Sequence, residues 1–495
     1  MRTHKKYAVK VVVFCLLLAI ILNGLNRLLM VQQYYNSYWP ETASYEQFYQ
    51  MEKNSVDVLF LGSSHCMTSF SPLQLYDEYG ITSYNLSSEE QGTLVSYFWL
   101  REALKYQSPQ VVVLDTYTLF TINQEEVLNA RESTVRLAID PMRWSGNKLE
   151  AVRTICEVDD AQSEISYLMT NIRYHERWSE LTENDFKQSS LRSHESLMGF
   201  SALTDSCDFQ EFTPIDPENE ESIAEPVALM QEYLDKIVEL CEDRGIRLIL
   251  TKTPSTTQTA SKYNYVSGYA ESKGIEFIDF NTEPIYAEAG YDFAMDNCDS
   301  GGHLNLWGAE KVTSYIGRVL TEQYGIVAKD DAQWESLQAY YETTLQDCEL
   351  TRVTDIYRYL ELLHNDRYTI FMAVKDEGTN ALDDELIELL MELGLTTNLK
   401  NAPRCSYYAI IEGDQVEEAV GTEQLEHEGS FRNGAEMYSI TSAGFDAGDT
   451  CSIIIAGDEY AKKKRGLNIV VYSNDLKRVI DSVCFDTYEG LAATR

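Results

Sequence analysis

At 495 residues the chain is too long for one ordinary domain, and two or three are expected. Its 44% hydrophobic content is ample for real cores, which excludes wholesale disorder. The net charge of −39 is spread over the whole chain, which excludes nucleic acid as a partner and a broad polyphosphate-binding surface.

The ten cysteines are scattered and no pair has C-x-x-C spacing, so neither a zinc ribbon nor a thioredoxin-like motif is expected. No pair of histidines has metal-ligand spacing. Neither a metal nor another cofactor is expected.

The chain opens with Arg2, Lys5, Lys6 and Lys10, followed by unbroken apolar sequence over Val11–Leu22 and a weaker stretch to Val31. A span of roughly 20 residues suffices for one membrane crossing. The basic flank predicts a cytoplasmic N-terminus, with the bulk of the chain extracytoplasmic. No small-x-small cleavage site follows, so an uncleaved anchor in the cell membrane is expected. Residues 33–55 are polar and Tyr-rich and read as a neck.

An alternating pattern of strands and helices then begins. It has a strand at 56–61, a helix near Pro72–Tyr79, a strand at Thr82–Leu86, a helix over 92–107 and a strand at Val111–Leu114. Between 121 and 225 the strand signal fades, and the segment reads as an insertion over the carboxyl edge of a sheet. The pattern resumes with helix 226–243, strand Arg247–Thr251, helix 259–273, strand Glu276–Asp279 and helix 306–324. This spacing predicts an α/β fold with a doubly wound parallel sheet. Residues 330–364 read as a helical linker. Beyond 365 the mixed strands and polar loops indicate a smaller α+β domain. The expected divisions are 1–35, 36–329, 330–364 and 365–495.

Two stretches carry candidate chemistry. In Val56–Phe70 a buried strand runs into Gly62-Ser63-Ser64-His65 and then a helix start, a geometry that lifts a hydroxyl out of a sheet. A serine in such a turn also reads as a helix N-cap. About 240 residues on comes Asp299-Ser300-Gly301-Gly302-His303-Leu304-Asn305. Ser64 as nucleophile, His303 as base and Asp299 as orienting acid would form a Ser-His-Asp set, with Asp296 the alternative acid. The Ser64 N–H would supply one oxyanion donor. His65, Arg173 and His175 are candidates for lining the site or binding substrate; a solvated helix face is the competing reading for the last two.

The residues Gly62-Ser63-Ser64, the strand Val111–Leu114 and His303-Leu304-Asn305 with Gly308-Ala309 resemble the SGNH (GDSL-type) hydrolase superfamily over about 55–325. Together with the N-terminal anchor and the Arg173–Trp178 stretch, they most resemble its membrane-anchored branch. That branch is typified by the D-alanyl-transfer protein of teichoic-acid loading and the alginate O-acetyltransferases. The resemblance implies O-acyl chemistry at Ser64 on a cell-surface polysaccharide or wall polymer, as esterase or transferase. It also implies a multi-pass membrane acyltransferase as partner.

The chain departs from the family pattern in three places. Ser300 stands where the family has its acid, three residues before the histidine. The expected Gly block falls on 85–92, and the expected Gly-x-Asn-Asp block falls on Asp115-Thr116-Tyr117. Gly62, Asn85 and Asp115 are therefore the candidate oxyanion or cleft residues. The alternative function is a catalytically degenerate fold acting as a glycan-binding or assembly scaffold.

The C-terminal segments Tyr368–Gly378, Leu390–Leu395, Cys405–Ile411, Arg465–Tyr472 and Ser482–Tyr488 resemble the interleukin-like EMT-inducer module over about 366–490. The Gly466–Val471 piece comes first in the animal versions and last here, as in a circular permutation. The resemblance implies an accessory glycan-binding role; a structural cap is the alternative.

Overall fold

The computed structural model describes residues 2–30, 41–121, 132–181, 196–207, 212–217, 222–299 and 301–495. The first part of the expected neck, parts of the 121–225 insertion and Ser300 lie outside the described residues. The chain divides into two compact units, Met1–Tyr341 and Glu342–Arg495.

Helix α1, Arg2–Leu29, contains a stretch over Val9–Leu29 with mean hydropathy 2.3, long and apolar enough to cross a membrane. At about 1.5 Å per residue such a stretch reaches about 30 Å, the thickness of a bilayer's hydrocarbon core. The expected neck holds a helix instead. In α2, Glu41–Phe48, Tyr45 and Phe48 are fully buried. Tyr45 stacks on Trp99 at 4.2 Å and Phe48 meets Tyr84 edge-on at 5.3 Å. Burying two large rings outweighs the segment's polar composition, so α2 belongs to the first unit.

That unit is built on five parallel strands: β1 (Val58–Gly62), β2 (Ser83–Ser87), β3 (Val111–Asp115), β4 (Arg247–Lys252) and β5 (Glu276–Asp279). Their order is β2-β1-β3-β4-β5. The strands read as near-continuous apolar runs because both faces are covered. On one face Phe60, Val113 and Ile249 pack with Phe70, with Leu75 of α4 (Pro72–Tyr79), and with Val312 and Ile316 of the closing helix Leu306–Glu322. On the other lie α5 (Thr93–Ala103) and helix Ala228–Arg244, which pack against each other. The order reverses between β1 and β3, and ligands of open α/β sheets bind at the carboxyl ends of the strands at such a reversal.

The insertion supplies α6 (Glu132–Ile139), α7 (Gly146–Val158), α8 (Glu164–Leu168) and α9 (Asn171–Tyr174). The last of these packs on the end of α1: Thr170 Oγ1 donates to Asn26 O at 3.1 Å, and Arg177 reaches Leu29 O and Met30 O at 2.9 and 2.8 Å.

The second unit holds a ten-stranded sheet centred on β6 (Tyr368–Asp376), which pairs antiparallel with β7 (Ser406–Glu412) and with strand Gly466–Ser473. Alternate side chains of these strands feed two cores. Ile370, Met372 and Val374 face helices Ile356–Leu363 and Asp384–Glu392, while Phe371 and Ala373 face Phe431, Ile440 and Ile453. The expected 330–364 linker is absorbed into the units. Trp334 and Leu337 are fully buried, and Tyr359 and Leu360 belong to the second unit's core.

The closing helix of the first unit tests this packing. The Asn305 side chain caps it by accepting from Gly308 N at 3.1 Å, and a Cβ at Gly308 would lie 2.4 Å from Asp296 O. Gly308→Ala is expected to destabilise the unit by about 1–3 kcal/mol, and Asn305→Ala by about 1 kcal/mol, read as lowered urea midpoints. An unchanged midpoint in both would show that the helix is not held by these contacts.

Candidate active site

β1 ends at Gly62, where a side chain has no room: a Cβ would lie 2.8 Å from both Asp115 Cβ and Cys66 Cβ. Gly62 therefore serves close backbone approach. The chain then turns at Ser63, whose extended backbone and side-chain oxygen cap the short helix Ser64–Met67 by accepting from His65 N at 3.3 Å. The N-cap role thus falls to Ser63. Ser64 is the first helical residue, 6% exposed, with its N–H free of any hydrogen bond among the described residues.

His303 Nε2 lies 2.9 Å from Ser64 Oγ, and His303 Nδ1 lies 2.6 Å from Asp299 Oδ2. The second carboxylate oxygen of Asp299 accepts from Gly302 N at 2.6 Å and His303 N at 3.0 Å. One carboxylate thus fixes the backbone of the turn and the tilt of the ring. Gly301 has φ +100, and a Cβ there would strike Thr256 Cγ2 at 2.3 Å, so the turn needs glycine at this point. Because an ionised Asp299 only accepts, it selects the tautomer with the proton on Nδ1 and leaves Nε2 free to accept from Ser64.

The bonds from His303 and Gly302 outweigh partial burial and hold the Asp299 carboxyl down at about 2. The sign follows: a depressed carboxyl stabilises the turn above its ordinary value of 3.8, and this stabilisation is lost as pH falls from there through about 2.

The other candidates have different places. Asp296 is bound to Asp292 N at 2.7 Å and Lys311 Nζ at 2.6 Å, so the carboxylate against the His303 ring is Asp299 and not Asp296. Asn85 is corrected as an oxyanion candidate: its two amide hydrogens go to Cys66 O at 3.0 Å and Phe70 O at 3.1 Å, bracing the helix after Ser64. Asp115 is likewise no donor. It is buried at the end of β3, accepts from Tyr117 N at 3.2 Å and Thr253 N at 3.4 Å, and its carboxyl is pushed up by burial.

His65 is 3% exposed and stacks on Tyr117 with ring centroids 3.6 Å apart and 5.1 Å from the His303 ring. Burial, with the nearby Lys252 and His303, pushes its imidazole well below the usual range, so it is held neutral. Arg173 and His175 have other partners in the fold. Arg173 pairs with Glu132 at 2.8 Å and the exposed His175 bonds Ile172 O at 3.0 Å, on the segment that packs against α1.

Two residues that sequence reasoning passed over support the site from below. Tyr117 carries the His65 ring. Lys252 is fully buried at the end of β4, bonds Thr253 O at 2.8 Å, and is pushed down to about 8 by burial against the pull of Asp115 and Asp279. A lysine closing a buried strand was the available signal. The segment 196–207 closes the other side: Ser201 N donates to Met67 O at 3.0 Å, Asn85 N to Met198 O at 3.0 Å and Leu306 N to Leu203 O at 2.7 Å.

No protein-family model matches the chain, and no curated protein matches it. Among the solved structures similar to part of it are two of acyl-ester-hydrolase type by their names. One, from Desulfitobacterium hafniense, is assigned by its name to the G-D-S-L lipolytic family, with 14% identity and a TM-score of 0.26 over 54% of this chain and all of that one. The other, from Bacteroides fragilis, is assigned as an acylhydrolase, with 12% identity and a TM-score of 0.25 over 56% of this chain and 94% of that one.

The Asp299 bonding is directly measurable. In protein labelled with 13C at aspartate carboxyls, the Asp299 signal is expected to titrate near 2. A midpoint near the ordinary 3.8 would mean that the hydrogen bonds to Gly302 and His303 are not kept in solution.

Proposed function

We propose that the chain is an SGNH-type serine O-acyl esterase or acyltransferase, anchored in the membrane by α1 and acting on a cell-surface glycan through an acyl-Ser64 intermediate. The observation that carries this reading is the unbroken chain from Ser64 Oγ through the His303 ring to the Asp299 carboxylate. The serine and histidine side chains meet across 239 residues of sequence, and this order of donors is the one that activates a hydroxyl.

In the proposed reaction His303 Nε2 takes the Ser64 proton as Oγ attacks an ester carbonyl. The resulting imidazolium faces the Asp299 carboxylate. The Ser64 N–H donates to the developing oxyanion. Collapse breaks the bond to the leaving alkoxide, which takes the proton from His303. Water, or a sugar hydroxyl in the transferase, then loses its proton to His303 and attacks the acyl group, releasing Ser64. The charge of −39 favours a neutral acceptor over a polyanionic one. In the transferase form, a multi-pass membrane partner would supply the acyl group.

The scaffold reading has one observation in its favour. Both Asn85 hydrogens are spent within the fold and Asp115 accepts only, so neither adds to the Ser64 N–H as an oxyanion donor.

The full chain in mild detergent, treated with a fluorophosphonate probe, is expected to label at Ser64. Ser64→Ala and His303→Ala should abolish labelling, and Asp299→Asn should slow it by roughly 10²–10⁴-fold. Absence of labelling in folded wild-type protein would sink the activated serine and favour the scaffold.

A further inference from the structure

A second cavity lies away from Ser64, at the end of α1 that meets the folded unit. It encloses about 400 Å³ between α1, α2, the start of α7 and the α8 region. Small-ligand sites run from about 300 to 1,000 Å³. Its polar groups include Asn26, the cations Arg27, Arg143 and Lys148, and the carboxylates Glu46 and Asp140. Lys148 is buried and tied to Asp140 O and Met142 O at 2.8 and 2.9 Å. Arg143 is different. Its guanidinium lies over the Tyr49 ring at 4.1 Å, and among the described residues it has no carboxylate partner.

The surroundings are apolar where they have no structural reason to be. Trp144 and Leu168 line the cavity and are 49% and 59% exposed, and Ile172 and Trp178 beyond them are 45% and 72% exposed. Such a cluster on a soluble face marks an interaction surface. Its position identifies the partner. The segment carrying Ile172 and Trp178 is bonded to Asn26, Leu29 and Met30, at the last turn of the apolar helix. Aromatic side chains and cations with long stems concentrate at that level of a bilayer.

We propose that this cleft binds the phosphate head group of a membrane phospholipid, with Arg143 and Arg27 facing the phosphate and the acyl chains lying against Trp144, Leu168 and Ile172. The proposal rests on the reading of α1 as a membrane span. It holds for whichever leaflet faces the folded unit. Glu46 sets a limit on the ligand. Its carboxyl also lines the cleft, is pushed up by burial and is drawn down by Arg27. A head group carrying one phosphate therefore fits better than a multiply charged one. Bound lipid would hold the unit at a fixed angle to the membrane.

The test uses the full chain in mild detergent, probed by native mass spectrometry with phosphatidylglycerol, diacylglycerol and free glycerol phosphate in separate arms. The expected result is one retained phosphatidylglycerol per chain. Retention should fall at least fivefold in Arg143→Glu and in a Leu168→Asp, Ile172→Asp double variant. These exposed substitutions should leave the thermal midpoint unchanged; Arg143→Gln serves if Arg143→Glu does not fold. Equal retention of diacylglycerol, or an undiminished level in the Arg143 variants, would overturn the phosphate contact. Equal binding of glycerol phosphate, unaffected by the Leu168 and Ile172 changes, would indicate a soluble phosphate ligand and overturn the lipid. No retained lipid would overturn the cleft assignment. Alkaline carbonate extraction separates the premise: release of the chain from membranes would overturn the span itself, whereas a chain that stays embedded but retains no lipid overturns only the cleft.

Discussion

The contact between the helix after Ser64 and the helix after His303 is the constraint on which the site depends. The hydroxyl and the imidazole are 239 residues apart in sequence and 2.9 Å apart in space. Closing so long a loop has an entropic cost that no single hydrogen bond offsets. It is offset by the burial of α4 against the closing helix, where Leu75 of α4 packs in one core with Val312, Ile316 and Leu320. Thr313 fixes the register of that contact. Its hydroxyl donates to Ser69 O at 3.1 Å and accepts from Ser71 N at 3.0 Å, tying the closing helix to the corner just after the Ser64 turn. Gly317 allows the approach, since a Cβ there would lie 2.3 Å from the Tyr79 ring. A helix held this tightly carries Asn305, its cap, and with it the turn that presents His303.

Much of this was legible in the sequence for a physical reason. Strands buried on both faces leave long apolar runs, and Val58–Leu61, Val111–Leu114 and Arg247–Thr251 all stood out. The parallel order follows from the helices between them. What could not be read was anything decided by tertiary contact. The neck looked solvated because Glu41–Phe48 is mostly polar, yet two rings in it reach a pocket that only the folded sheet creates. Asn85 looked like a cleft residue because the family's expected Gly block falls on 85–92. Its side chain turns under the Ser64 helix and donates to Cys66 O and to Phe70 O just beyond that helix. Spacing alone also left Asp296 and Asp299 as rivals. The choice depends on which carboxylate faces the ring, and Lys311, one turn along the closing helix, draws Asp296 away.

The position of the acid is itself informative. At four residues before the histidine, the Asp299 carboxylate accepts from the histidine's own N–H and from the residue before it. The acid is therefore part of the turn that positions the ring. A carboxylate on a separate element would have to be aimed by packing; here five residues of backbone do so. The cost is exposure. The Asp299 side chain is 44% exposed and the His303 side chain 23%. Solvent screening weakens the pull of Asp299 on a histidine cation, and the geometric role weighs more than the electrostatic one.

The strands also set a direction. Ser64 follows the carboxyl end of β1. Tyr49 and Tyr106, stacked edge-on at 5.3 Å, lie by the end of α5 that feeds the amino end of β3, and Tyr49 lines the cavity beside α1. Ser64 and this aromatic pair thus lie toward opposite ends of the strands, a five-residue strand being about 17 Å long.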